Sequence, residues 1–116
     1  MIKISVCDDD EGQLTFFKQC FMEYNEKHKE KIEANFYQSV QSLLNEKKFS
    51  PDVYFLDIEL QDGNGLKLAG KIRTRNSKIP IVFITSHEEF MPEAFHVHAY
   101  QYLNEKKNAQ AVENVL

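Results

Sequence analysis

Residues 51–60 read PDVYFLDIEL. Val53, Tyr54, Phe55 and Leu56 make a short, nearly continuous apolar run, the pattern of a strand covered on both faces, as a central parallel strand is. The run ends at a carboxylate, Asp57. Ligands of open parallel sheets bind in the crevice beyond the carboxyl ends of the strands, so an acid at that position is placed for chemistry. An Asp that only caps the following turn accounts for this strand equally well.

The start of the chain adds a second case. Met1–Cys7, MIKISVC, sets Ile2, Ile4 and Val6 against Lys3, Ser5 and Cys7, an alternation that predicts a strand. It stops at Asp8, Asp9 and Asp10. One of the three is expected to cap a helix. Capping leaves the other two unexplained once a second strand also ends in an acid. If the two strands lie side by side and parallel, their carboxylates converge, and like charges in one place raise one another's pKa at a cost in stability. A cation relieves that cost. Mg2+ suits such a cluster, because it takes carboxylate oxygens in octahedral geometry and keeps several waters.

With 116 residues, 42% hydrophobic and 28% charged, the chain has the size and balance of one soluble domain with a real core. No apolar stretch reaches membrane-spanning length and no signal-peptide pattern opens the chain, which points to the cytoplasm. Cys7 and Cys20 fit that compartment as reduced, small core residues. The net charge is −4 and no Lys/Arg block has the size of a nucleic-acid patch, so this segment alone is not expected to bind DNA.

From Asp10 to about Lys29, Leu14, Phe17, Phe21 and Tyr24 recur at helical spacing, with Cys20 on the same side. Ile32, Ala34 and Phe36 then alternate with polar residues and predict a half-buried edge strand. Ser39 is placed to cap a short helix carrying Val40, Leu43 and Leu44. Beyond Asp57, the run Asp62-Gly63-Asn64-Gly65 signals a turn, and Leu66, Ala69 and Ile72 trace a helix with Lys71, Arg73 and Arg75 near its C-terminus. Pro80–Thr85, PIVFIT, is another buried strand, ending in Thr85 and Ser86. A helix over Glu88–Val97, a fifth strand over Ala99–Leu103 with Tyr100 and Tyr102, and a last helix from Asn108 complete the chain. Five alternations of strand and helix predict an α/β domain: a doubly wound, five-stranded parallel sheet with helices on both faces. The known doubly wound order 2-1-3-4-5 accommodates the third, fourth and first strands as the inner ones.

The segments VCDDD, YFLDIELQDGNGL, VFITS and AFHVHAYQYL, in this order and on these strand ends, resemble a response-regulator receiver domain over essentially the whole chain. The wording FLDIEL and AFHVHAYQYL is similar to receivers of the LytR/AlgR type, in which a LytTR DNA-binding domain follows. The resemblance implies the flavodoxin-like receiver fold and a role in two-component phosphorelay signalling. Asp57 would be the phosphoacceptor, a carboxylate nucleophile forming an acyl phosphate. Asp8 and Asp9 match the acidic pair that holds Mg2+ together with Asp57, and Glu59 would add its backbone carbonyl. Thr85 would hydrogen-bond a phosphoryl oxygen, Tyr102 would switch rotamer in response, and Gly65 would supply the close turn after the acceptor strand. The implied partners are a sensor histidine kinase, a second copy docking through the fourth helix, fifth strand and last helix, and DNA only through a domain absent from this chain. Residues 1–116 would then be the receiver domain of a longer protein.

Two positions depart from the family pattern. Where a Lys-Pro pair follows the last strand, straight alignment puts Glu105 and Lys106; Lys106 fills the role if the loop carries one extra residue. Gln61 stands where many members have Pro. Other readings stay open. A degenerate receiver would act as a phosphorylation-independent interaction module, as Glu105 allows. An Mg2+-dependent phosphatase with an aspartyl nucleophile needs a second Asp two residues after the first, and here that position is Glu59. A receiver is a phosphoacceptor taking part in its own modification rather than an enzyme with a separate substrate. His96 and His98 have a metal-like spacing but no third His or Cys, and read as surface residues.

Overall fold

The computed structural model describes residues 1–84 and, beyond them, the backbone of Gln101–Leu103. The expected helices over Glu88–Val97 and from Asn108, together with Thr85, Ala99, Tyr100 and Lys106, lie outside the described residues.

The alternating N-terminal run forms β1 (Ile2–Cys7), and the helical spacing after it forms α1 (Glu11–Lys27). Asp10 caps that helix: its carboxylate accepts from the Gly12 amide at 2.9 Å. The edge-strand pattern gives β2 (Ile32–Tyr37), with Ile32 buried and Ala34 and Phe36 half-buried. Ser39 caps α2 (Val40–Leu44) in a reciprocal capping box with Ser42. The central run is β3 (Val53–Asp57). The turn expected at 62–65 is more ordered than a plain turn: β4 (Glu59–Leu60) and β5 (Gly63–Asn64) pair antiparallel as a tight hairpin. Asn64 then caps α3 (Gly65–Arg75), its side chain accepting from Leu66 and Lys67. PIVFIT yields β6 (Ile81–Ile84), and β7 is Gln101–Leu103.

The main sheet has five strands in the order β2-β1-β3-β6-β7, and every pairing is parallel. With the hairpin set aside, this is the order 2-1-3-4-5. Successive residues of each inner strand face opposite sides of the sheet. Ile4, Val6, Phe55, Val82 and Ile84 meet Leu14, Phe17 and Phe21 of α1. Cys7, Leu56, Ile81 and Phe83 meet Leu43 of α2 and Leu66, Ala69 and Ile72 of α3. The two faces are therefore separate cores sharing one sheet. Phe17 and Phe21 both set their rings edge-on to Phe55, at 5.6 and 6.1 Å between centroids, which fixes α1 across the middle of β3. Full burial of a side chain such as Phe55 contributes roughly 2 kcal/mol. Both cysteines are buried and free, one on each face. Among the described residues no helix is long and apolar enough to cross a membrane.

Candidate functional site

Cys7, the last residue of β1, is in register with Leu56, the penultimate residue of β3. Parallel pairing therefore brings the residues that follow, Asp8 and Asp57, to the same end of the sheet. One carboxylate oxygen from each of Asp8, Asp9 and Asp57 lies within 4.8 Å of the others. Asp8 is fully buried, Asp57 is 5% exposed and Asp9 is half-buried. Two ionised carboxylates at that separation repel by about 3.5 kcal/mol at an effective dielectric constant of about 20. Three of them call for a proton or a cation.

Local bonds hold the cluster in shape. Asp8 Oδ1 accepts from the Asp10 amide at 2.9 Å, turning the chain from β1 into α1. Asp57 Oδ1 accepts from the Glu59 amide at 3.4 Å, a long contact at the start of the hairpin. Asp9 Oδ2 reaches across to the hairpin tip and accepts from the Gln61 amide at 3.1 Å. Gly65 lies against the acceptor strand: its amide donates to the Ile58 carbonyl at 2.7 Å, and a Cβ on it would sit 2.0 Å from the Asp57 carbonyl oxygen. The close turn expected of Gly65 is thus a steric requirement of the backbone around Asp57.

The field in the site is negative. Burial pushes the Cys7 thiol up to about 12, and the charges of Asp62, Asp8, Asp57 and Asp9 add to the effect. Cys7 stays protonated, its sulfur donating to the Ser39 carbonyl, and offers no thiolate to compete for a metal. What remains is a set of carboxylate oxygens, two of the three groups buried, and such a donor set fits a hard divalent cation such as Mg2+.

The structure brings together Asp8, Asp9 and Asp57, and it puts Glu59 two residues along on β4, its amide against Asp57. Ile84, the residue before Thr85, is in register with Asp57, and Tyr102 of β7 is in register with Phe83. Thr85, Lys106 and the Tyr102 side chain are outside the described residues. One residue of the site region had no functional reading in the sequence. Asp62 looked like turn chemistry beside Gly63; its carboxylate in fact accepts from the Val40 and Gln41 amides at 2.9 and 3.1 Å. The only available signal was an Asp at the turn, and its partners lie 21 and 22 residues away.

Residues 4–115 match the model of the response regulator receiver domain family. An uncharacterized response regulatory protein of Yersinia pestis is 31% identical over 103 residues, which is 89% of this chain and 42% of that protein. The sensory transduction protein LytR of Staphylococcus saprophyticus is 41% identical over 68 residues, 55% of this chain and 27% of that protein. The chain thus spans less than half the length of these relatives. Among solved structures, a CheY-like response regulator receiver domain protein of Methanospirillum hungatei superposes with a TM-score of 0.85 at 18% identity, covering 99% of this chain and 90% of that one.

Proposed function

The chain belongs to the response regulator receiver domain family of two-component systems, and from that membership we propose that it accepts a phosphoryl group on Asp57 and switches an attached transcriptional output domain. The observation that carries this reading is the convergence of Asp8, Asp9 and Asp57 at the ends of β1 and β3. Receiver domains partner with sensor histidine kinases, so the donor is a phosphohistidine. The Asp57 carboxylate oxygen attacks phosphorus; the phosphorus–nitrogen bond of the donor breaks, and an acyl phosphate forms. Asp8, Asp9 and Asp57, with the Glu59 carbonyl, would hold Mg2+ at this end of the sheet. Mg2+ bound there supplies positive charge against the phosphoryl oxygens. Gly65 lets the backbone pass close to the Asp57 carbonyl, and the Asp9–Gln61 bond sets the hairpin beside the acceptor before the group arrives.

The remaining roles come from the family resemblance. Thr85 hydrogen-bonds a phosphoryl oxygen and Tyr102 turns inward as Thr85 moves; straight alignment puts Glu105 in the family's lysine position, and Lys106 supplies the second positive charge if the loop after Leu103 carries one extra residue. That change reshapes the face of the fourth helix, fifth strand and last helix, through which two copies associate. The partial match to LytR proteins supports the LytR type; from the family resemblance alone, the output would be a LytTR domain in the cytoplasm, with DNA contacted only through it.

Incubation with a small acyl-phosphate donor tests the proposal. With Mg2+ the wild-type chain gains one phosphoryl group by intact-mass measurement; without Mg2+, or as Asp57→Asn, it gains none. Equal labelling of Asp57→Asn would remove the assignment.

A further inference from the structure

The tip of the β4–β5 hairpin is held from two sides by carboxylates of distant origin. Asp9, from the end of β1, accepts from the Gln61 amide at 3.1 Å. The next residue, Asp62, accepts from both the Val40 and the Gln41 amide at the start of α2. Contact there is close in a second sense: a Cβ on Gly63 would meet the Val40 side chain at 3.0 Å. These amide bonds hold the Asp62 carboxyl below the usual carboxylate range, so it stays ionised and accepting at neutral pH. Adjacent residues of one tight turn therefore connect the acidic cluster to α2.

We propose that Asp62 is a positioning residue for the acidic site, a strap that orients the Glu59–Asn64 hairpin and transmits occupancy of the Asp8–Asp9–Asp57 cluster to α2. The proposal rests on the reading of that cluster as a divalent-cation site. Asp9 faces two demands, from the cation and from the Gln61 amide. Recruiting its carboxylate to a cation alters the bond that sets the tip, and the tip carries Asp62 with it. Two rigid attachments on neighbouring residues make the displacement of one felt at the other. The coupling is reciprocal: if the strap orients the hairpin for binding, removing it weakens binding. Its output is α2, on the opposite side of the sheet from α1.

The test is a titration of the 15N-labelled chain with MgCl2, read at individual backbone amides, for wild type, Asp62→Ala and Asp62→Asn. In wild type the amides of Ile58, Glu59, Gln61, Val40 and Gln41 shift with one common midpoint. In Asp62→Ala, Ile58 and Glu59 still respond, but Val40 and Gln41 become silent and the midpoint rises roughly fivefold, the low end of common couplings between sites. Asp62→Asn keeps one acceptor oxygen and falls between the two. A merely structural strap would lower thermal stability without moving the Mg2+ midpoint. The proposal is overturned if Val40 and Gln41 ignore Mg2+ in wild type while Ile58 and Glu59 respond, or if they respond alike in wild type and Asp62→Ala. If no amide responds in wild type, the cation reading itself fails, and the strap as a conveyor of occupancy fails with it.

Discussion

A methyl group at position 65 would stand 2.0 Å from the Asp57 carbonyl oxygen and 3.0 Å from the Ile58 Cα, both parts of the backbone rather than a movable side-chain end. Gly65→Ala must therefore push the acceptor loop aside, with an expected loss of roughly 2 kcal/mol in a denaturant melt and a weaker Mg2+ response. A variant as stable and as responsive as wild type would show that the contact is slack. At this scale the acids at strand ends were legible: Asp8 and Asp57 each follow an apolar run, with Asp9 next to Asp8, and the position after such a run is informative by itself. Asp62 was not. Its meaning depends on the Val40 and Gln41 amides, and no local pattern in the sequence relates a turn to the start of a helix more than 20 residues earlier.

Strands and helices were read well where their periodicity was long. The Leu14–Phe17–Phe21 spacing identified α1 and its buried face, and Asp10 is the capping residue among the three acids. The hairpin was missed as an element because each of its strands has two residues, too few for any alternation to register. Parallel pairing of β1 with β3 is what turns two separate acidic strand ends into one site. That juxtaposition has a stability consequence. Asp9→Asn removes one charge from the cluster yet keeps an oxygen for the Gln61 amide. It is expected to raise the melting temperature of the metal-free chain and to abolish the rise that Mg2+ gives wild type by binding only the folded state. Equal Mg2+ stabilisation of both forms, measured by thermal scan, would contradict the role of Asp9.

For the molecule as a whole, strand–helix alternation was enough to infer a parallel sheet covered on both faces, and the two separate cores are the physical form of that inference. Strand order came from precedent rather than from pattern, because apolar runs report burial and not neighbours. Membership of the receiver family was legible in the wording of four segments taken together. The proposed kinase, output domain and association face involve surfaces outside these residues, for which the periodicity of this segment carries no information. The central claim concerns one oxygen on one residue, and it is most directly tested by locating the phosphoryl group. After labelling with an acyl-phosphate donor and Mg2+, borohydride reduction converts an aspartyl phosphate to homoserine, which peptide mass spectrometry can assign to a position. The account predicts homoserine at Asp57 alone; homoserine at Asp8, Asp9 or another acid, or none at any position, would contradict it.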